Sequence, residues 1–155
     1  DPYIGAESWP EGATRATDLA GALAEADAVS LHLPRADRAV LGPAELTLMK
    51  PAAVVVNTAR GGLVDENALA EALRAGRLGG AGIEVFTAEP PGTDHPLFGL
   101  DQAVLTPHNA ALTVECAERM AIASVRNVLD FFAGKLAPAL VVNAAAIGGL
   151  KELLK

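Results

Sequence analysis

The stretch Val54-Val55-Val56-Asn57-Thr58-Ala59-Arg60-Gly61-Gly62-Leu63-Val64-Asp65-Glu66 constrains the fold more than any other part of the chain. Three consecutive β-branched apolar residues give way to a Gly pair, and from Asp65 onward Ala, Leu and Glu recur at helical spacing. Strand, turn and helix follow in that order. An apolar run without alternation fits a strand covered on both faces, as parallel strands in α/β proteins are. Asp65 suits an N-cap, because its carboxylate can accept from the free N–H groups of the next turn. Leu69 and Leu73 stand four apart, and Gly76 ends the helix. Arg60 falls just beyond the carboxyl end of the predicted strand, at the edge where open α/β sheets bind ligands. A guanidinium there can grip a carboxylate through two parallel hydrogen bonds, and it can equally cap the turn or pair with Asp65.

The same alternation runs along the rest of the chain. Residues 4–12 read as a Gly-, Pro- and Glu-rich loop, and Ala13-Thr14-Arg15-Ala16 as a very short strand. A short helix is predicted from Asp18 to Glu25 with Thr17 as its cap, then a strand from Ala28 to Leu33 stopped by Pro34. Pro43 suits the first turn of a helix through Met49, which Pro51 terminates. After the 54–75 unit come a strand from Gly80 to Phe86, a long loop from Pro90 to Asp101, and a strand at Ala103-Val104-Leu105. Ala117, Met120, Ala121, Val125, Val128 and Phe132 keep a three-to-four spacing, which predicts one long amphipathic helix from Thr113 to Ala133 with Gly134 at its end. No internal repeat or low-complexity segment stands out. Strands alternating with helices imply right-handed crossovers and a mostly parallel sheet with helices on both faces.

A chain of 155 residues is long enough for one domain with a stable core. With 51% hydrophobic but only 4% aromatic residues, that core should be built from Ala, Val and Leu. A mean hydropathy of +0.30 leaves room for an apolar partner face. The net charge of −7 argues against nucleic acid or an anionic membrane as partner, so any anionic ligand must be met by local cations. The single Cys116 has no partner for an internal disulfide and reads as a helix core residue. No stretch is apolar for long enough to span a membrane, and no signal pattern opens the chain, so a reducing cytoplasm is the expected compartment.

Three polar residues reach the carboxyl edge from three different crossovers: Arg60, Glu89 and His108. Histidine is the side chain most easily used as both proton donor and acceptor near neutral pH. Glu89 within reach would stabilise its imidazolium and fix the ring, while Arg60 anchors a substrate carboxylate. Such a set suits proton transfer to and from a hydroxyl or ketone beside a carboxylate. Taken singly, each residue also reads as ordinary surface or loop composition. Ser30 and Ser124 lack the sharp strand-to-helix turn of a nucleophile elbow. His32, His95 and His108 lack metal-ligand spacing, so no metal site is expected, and His32 reads as a packed or hydrogen-bonded strand residue.

The block Val56 to Glu66, followed by Ala81-Gly82-Ile83-Glu84-Val85-Phe86-Thr87-Ala88-Glu89-Pro90 and by Thr106-Pro107-His108, resembles the C-terminal half of the nucleotide-binding domain of the NAD-dependent D-2-hydroxyacid dehydrogenases. Leu31-His32-Leu33-Pro34 and Val141-Val142-Asn143 match as well. Asp1-Pro2-Tyr3 and the run from Phe132 to Asn143 are similar to the phosphoglycerate dehydrogenase and hydroxypyruvate/glyoxylate reductase branches. The resemblance implies an incomplete Rossmann-like, doubly wound parallel sheet and hydride transfer between NAD(H) and C2 of a D-2-hydroxy or 2-keto acid. Phosphoglycerate, hydroxypyruvate and glyoxylate are the substrates it suggests. By the same resemblance Arg60 binds the substrate carboxylate, His108 is the acid/base and Glu89 its partner. Asp1 would accept from the adenosine ribose hydroxyls. Leu33, Thr58, Ala59, Arg60, Glu84 and the segment His108-Asn109-Ala110-Ala111 would line the cofactor groove.

The resemblance further implies that residues 1–134 form the C-terminal part of the NAD-binding domain. Residues 135–155 would then return toward a substrate domain. A homodimer and an N-terminal half carrying the missing G-x-G-x-x-G loop are its expected partners, and this polypeptide alone is expected to be inactive. Two departures stand out. Glu84 occupies a position where the family usually has Asp, and Arg35-Ala36-Asp37-Arg38 replaces a Thr-bearing loop after Pro34. The alternative is a non-catalytic NAD-sensing interaction module resembling the family's corepressors, which an intact Arg60, Glu89 and His108 set does not exclude. A formate dehydrogenase-like activity fits less well, because Glu89 gives His108 an ionisable partner.

Overall fold

The computed structural model describes Gly5 and residues 8–143 of the chain. The chain forms two compact units, Asp1–Asn109 and Ala110–Lys155. The first contains helix α1 (Leu19–Glu25), strand β1 (Ala28–Leu31), helix α2 (Pro43–Leu48), strand β2 (Val54–Asn57), helix α3 (Glu66–Arg74), strand β3 (Gly80–Ile83) and strand β4 (Ala103–Leu105). The four strands pair in parallel in the order β1-β2-β3-β4. Their carboxyl ends therefore share one edge, the arrangement expected of an α/β Rossmann-like sheet.

The register divides the strand residues cleanly between two faces. Val29, Val55 and Ala81 are paired neighbours, as are Leu31, Asn57 and Ile83, so these six share a face. All of them except half-buried Val29 are buried. Leu46, Leu69, Ala70 and Leu73 from α2 and α3 join the same core, which is built almost wholly from Leu, Val and Ala. Each fully buried Leu contributes about 1.5–3 kcal/mol. The opposite face carries Ala28, Ser30, Val54, Val56, Gly80, Gly82 and Val104; none is fully buried, and Val104 is 68% exposed. Strands laid down in sequential order with right-handed crossovers put their helices on one side, and only a winding in the opposite direction covers the other. In the first unit taken by itself, this second face is the less enclosed of the two.

Several predicted boundaries move, each for a local reason. The Val54 strand, its following helix and the 103–105 strand lie where expected, and Asp65 caps α3 by accepting from the Ala68 N–H at 3.0 Å. For α1 the cap is Asp18 rather than Thr17: the Asp18 carboxylate accepts from the Gly21 N–H at 2.7 Å. Residues 13–16 form no strand; the Ala13 N–H instead closes a turn onto the Pro10 carbonyl. Strand β3 ends at Ile83 rather than Phe86, because the Phe86 N–H leaves the ladder for the Glu89 carboxylate.

The second unit holds helix α4 (Val114–Phe132) and a 3-10 turn at Pro138–Leu140. Thr113 caps α4 by accepting from the Cys116 N–H, and Gly134 beyond its end has φ of +68°. The helix is amphipathic as predicted, yet none of its residues is buried, and Cys116 is half-buried rather than a core residue.

Candidate active site

Each of the three predicted side chains is held by a different local device. Asn57 ends β2 buried, and its amide braces the turn that follows: Nδ2 donates to the Arg60 carbonyl at 2.9 Å and Oδ1 accepts from the Ala59 N–H at 3.1 Å. Arg60 leaves that turn exposed, with Nη1 donating to the Ala59 carbonyl. It does not pair with Asp65, whose carboxylate caps α3.

Glu89 follows β3 in a tight turn. Its Oε1 accepts from the Phe86 N–H at 2.9 Å and its Oε2 faces His108 Nδ1 at 2.8 Å. The hydrogen bond from His108 above all, then that from the Phe86 N–H, holds the Glu89 carboxyl below its ordinary value of 4.5; partial burial opposes them, while the charges of His108 and Arg60 add to the lowering. The side chains are 51% and 38% exposed for His108 and Glu89, so solvent screens much of their attraction. His108 has φ of +53°, in the left-handed region that costs a non-glycine residue energy and that recurs at functional sites. Its N–H donates to the Glu84 carbonyl at 3.0 Å, which ties its backbone to the exit of β3.

Arg60, Glu89 and His108 line a common hollow of about 280 Å³ together with Arg35, Gly61, Phe86 and Thr87. Glu89 and His108 also border an adjoining apolar hollow of about 410 Å³ walled by Phe86, Pro90, Pro91, Phe98, Leu105 and Pro107. Since Nδ1 is engaged by Glu89, Nε2 is the ring nitrogen left to exchange a proton. The hollow thus offers a cationic anchor and a proton carrier within one small volume. Arg35 was not assigned to it from sequence; no hydrogen bond or ion pair holds its guanidinium among the described residues.

The remaining predicted residues lie around this edge or outside the description. Leu33 beyond β1 is 39% exposed, Thr58 is exposed and Ala59 is half-buried. Glu84 is buried and accepts from the Thr106 hydroxyl. Asn109 is exposed at the end of the first unit, whereas Ala110 and Ala111 belong to the second. Asp1, expected on the adenosine ribose, lies outside the described residues. His32 lies past the end of β1, exposed, with Nε2 at 2.8 Å from the Ser30 hydroxyl; it is hydrogen-bonded but not a strand-interior residue.

Sequence reasoning missed Glu66 and His95. Glu66 accepts from the Thr87 N–H at 2.7 Å and the Thr87 hydroxyl at 2.9 Å, while its second oxygen meets His95 Nε2 at 3.0 Å. The His95 ring stands edge-on to Phe86, with centroids 5.1 Å apart. Only the position of Glu66 in the first turn after the Asp65 cap hinted at it, and that reads equally as a favourable helix-dipole charge. Among the described residues, no cluster of three His, Cys, Asp or Glu is placed to hold a metal ion, and no helix is long and apolar enough to cross a membrane.

A four-stranded parallel sheet with Arg60, Glu89 and His108 gathered beyond its carboxyl edge defines an α/β Rossmann-like unit. Residues 1–110 match the D-isomer specific 2-hydroxyacid dehydrogenase, NAD binding domain, and the chain belongs to that family. It is 45% identical over 121 residues to a glyoxylate reductase of Aeropyrum pernix, an alignment covering 77% of this chain and 36% of that protein. It is 44% identical over 132 residues to an (S)-sulfolactate dehydrogenase of Chromohalobacter salexigens, covering 83% and 42% respectively. The TT0316 protein of Thermus thermophilus shares the fold with a TM-score of 0.73 and 45% identity, over 77% of this chain and 39% of that one. The chain thus spans 36% and 42% of the length of these two curated relatives.

Proposed function

We propose that the chain is the C-terminal part of the NAD-binding domain of a D-2-hydroxyacid dehydrogenase, contributing the acid/base and carboxylate-binding groups to a reaction completed by the rest of the enzyme. The observation that carries this reading is the 2.8 Å approach of Glu89 Oε2 to His108 Nδ1 on the rim of a hollow that Arg60 also lines. The carboxyl edge fits a dinucleotide. Leu33 and Ala59 offer apolar surface beyond neighbouring strands, the Thr58 hydroxyl is exposed, and the buried Glu84 carboxylate lies at the exit of β3 as a polar acceptor. Leu33, Thr58, Ala59, Arg60, Glu84, His108 and Asn109 would hold NAD.

When bound there, NADH would supply the hydride-transfer chemistry at C2 of the keto acid. The chain's own residues manage the charge around that event. Arg60 grips the carboxylate and draws electron density from the adjacent carbonyl. His108 gives its Nε2 proton to the carbonyl oxygen as the alcohol forms and takes it back in the oxidative direction. Glu89, kept ionised by its two hydrogen bonds, accepts from Nδ1 and favours the protonated ring.

The substrates proposed are small 2-keto or 2-hydroxy acids such as glyoxylate, hydroxypyruvate or the phosphoglycerate pair. Residues 1–134 belong on this reading to the nucleotide-binding domain, and residues 135–155 return toward the substrate domain. The N-terminal half supplies the glycine-rich phosphate loop, a second copy completes a homodimer, the compartment is the cytoplasm, and the isolated chain does not turn over. The whole polypeptide, given NADH with glyoxylate, hydroxypyruvate and phosphohydroxypyruvate in turn, should consume NADH with at least one. Consumption with none would leave the non-catalytic NAD-sensing reading in its place.

A further inference from the structure

Glu66 and His95 touch neither of the hollows that Glu89 and His108 border, yet they are among the most enclosed polar side chains of the first unit, 13% and 10% exposed. Both oxygens of the Glu66 carboxylate are used. One takes the N–H and the hydroxyl of Thr87, at 2.7 and 2.9 Å, and the other takes the His95 ring at 3.0 Å. The Leu97 N–H points at His95 Nδ1 at 3.4 Å, which makes Nδ1 the acceptor and Nε2 the nitrogen that donates to Glu66. Phe86 and Phe98 flank the ring with centroids at 5.1 and 5.3 Å. Such a histidine is fixed by three separate elements and faces no substrate space.

What this cluster grips is the segment that ends in Glu89. Thr87 lies two residues before Glu89, and the Phe86 N–H beside it is already bonded to the Glu89 carboxylate. Glu66 itself begins α3, six residues after Arg60 on the same continuous turn. The carboxylate of Glu66 therefore ties the segment bearing the carboxylate-binding arginine to the segment bearing the histidine's partner. From this geometry we propose that Glu66 and His95 are positioning residues that keep Glu89 in register with His108 across the active-site hollow. The inference rests on the dehydrogenase reading for its kinetic test, but not for its geometric one.

Loss of Glu66 frees Thr87, and with it the turn that aims Glu89. Glu89 favours the protonated His108 ring only while its carboxylate stays against Nδ1. In the whole polypeptide, Glu66→Ala should therefore move the alkaline limb of the keto-acid reduction profile to lower pH. The direction is that of Glu89→Gln, and the double variant should move no further than Glu89→Gln alone. A fall in activity or melting temperature with the limb unmoved, or shifts that add in the double variant, overturns the proposal.

Should Glu66→Ala fail to fold, Thr87→Ala removes only the hydroxyl tie and His95→Asn only the ring, and both should move the limb the same way. If the wild-type polypeptide reduces no keto acid, the proton titration of the His108 ring followed by NMR gives the same comparison. A His108 titration that moves in Glu89→Gln but not in Glu66→Ala refutes the positioning role by itself.

Discussion

A close backbone approach near the site lies between Gly61 and the exit of β3, and it makes Gly61→Ala a sharp probe. A Cβ built at Gly61 would lie 1.8 Å from the Phe86 carbonyl oxygen, 2.2 Å from its carbon and 2.8 Å from the Thr87 nitrogen. Contacts of a real Cβ essentially never fall below 3.0 Å, so the two chains must part by about 1.2 Å. The obstacle is main chain, which no rotamer change can clear. Overpacking of this kind costs about 1–3 kcal/mol, which corresponds to a melting temperature lower by about 2–12 °C in a chain of this size. The displaced atoms belong to the segment that aims Glu89, and misplacing catalytic groups by about 1 Å costs about 100-fold in rate.

A control separates the two effects. At Gly79, a Cβ would meet the Ala52 carbonyl oxygen at 2.3 Å, at the amino end of the sheet, away from the site. Both variants should melt early in a thermal scan of the whole polypeptide. Only Gly61→Ala should lose kcat in steady-state assays, with Gly79→Ala within about twofold of wild type. Equal losses of kcat in both, or a Gly61→Ala protein with unchanged melting and turnover, would refute the reasoning.

Two further outcomes are expected. Glu89 is held below its ordinary value chiefly by the hydrogen bond from His108, so its own contribution to stability is present above pH about 4.5 and fades as pH falls through the lowered value. Glu89→Gln removes the anion that favours the protonated ring, so the alkaline limb of the reduction pH profile should move to lower pH while the KM for NADH stays put; an unmoved limb would count against the pairing. Arg35 adds a second guanidinium to the hollow. Arg35→Gln should raise the KM for keto acids bearing a second anionic group by about tenfold, equivalent to about 1.4 kcal/mol, and leave glyoxylate nearly unaffected. A rise in the KM for NADH instead would make Arg35 a cofactor contact.

The strand-turn-helix run at 54–75 was legible because every level agreed: β-branched residues for a central parallel strand, glycines for the turn, an acidic cap for the helix. Arg60, Glu89 and His108 were legible because each follows a strand, and parallel topology sends all strand ends to one edge. Strand exits were harder. At Phe86 the residue is apolar and strand-like, yet its N–H is taken by a carboxylate three residues on, which no periodicity reveals. The Glu66–His95 pair spans 29 residues and is brought together by the fold alone. Nothing in the sequence marks Asn57, although both ends of its amide brace the arginine turn. Helix α4 showed a clean apolar stripe, but a stripe states only that a cover is needed, and none of its residues is buried.

The left-handed backbone at His108 has a practical corollary for anyone replacing that residue. Glycine and asparagine would relax the torsion, whereas valine or isoleucine would aggravate it, so a substitution series there scores chain comfort and lost chemistry at once. Alanine is consequently a poor baseline at this position, and asparagine, which tolerates the twist but cannot carry the proton, is the cleaner comparison.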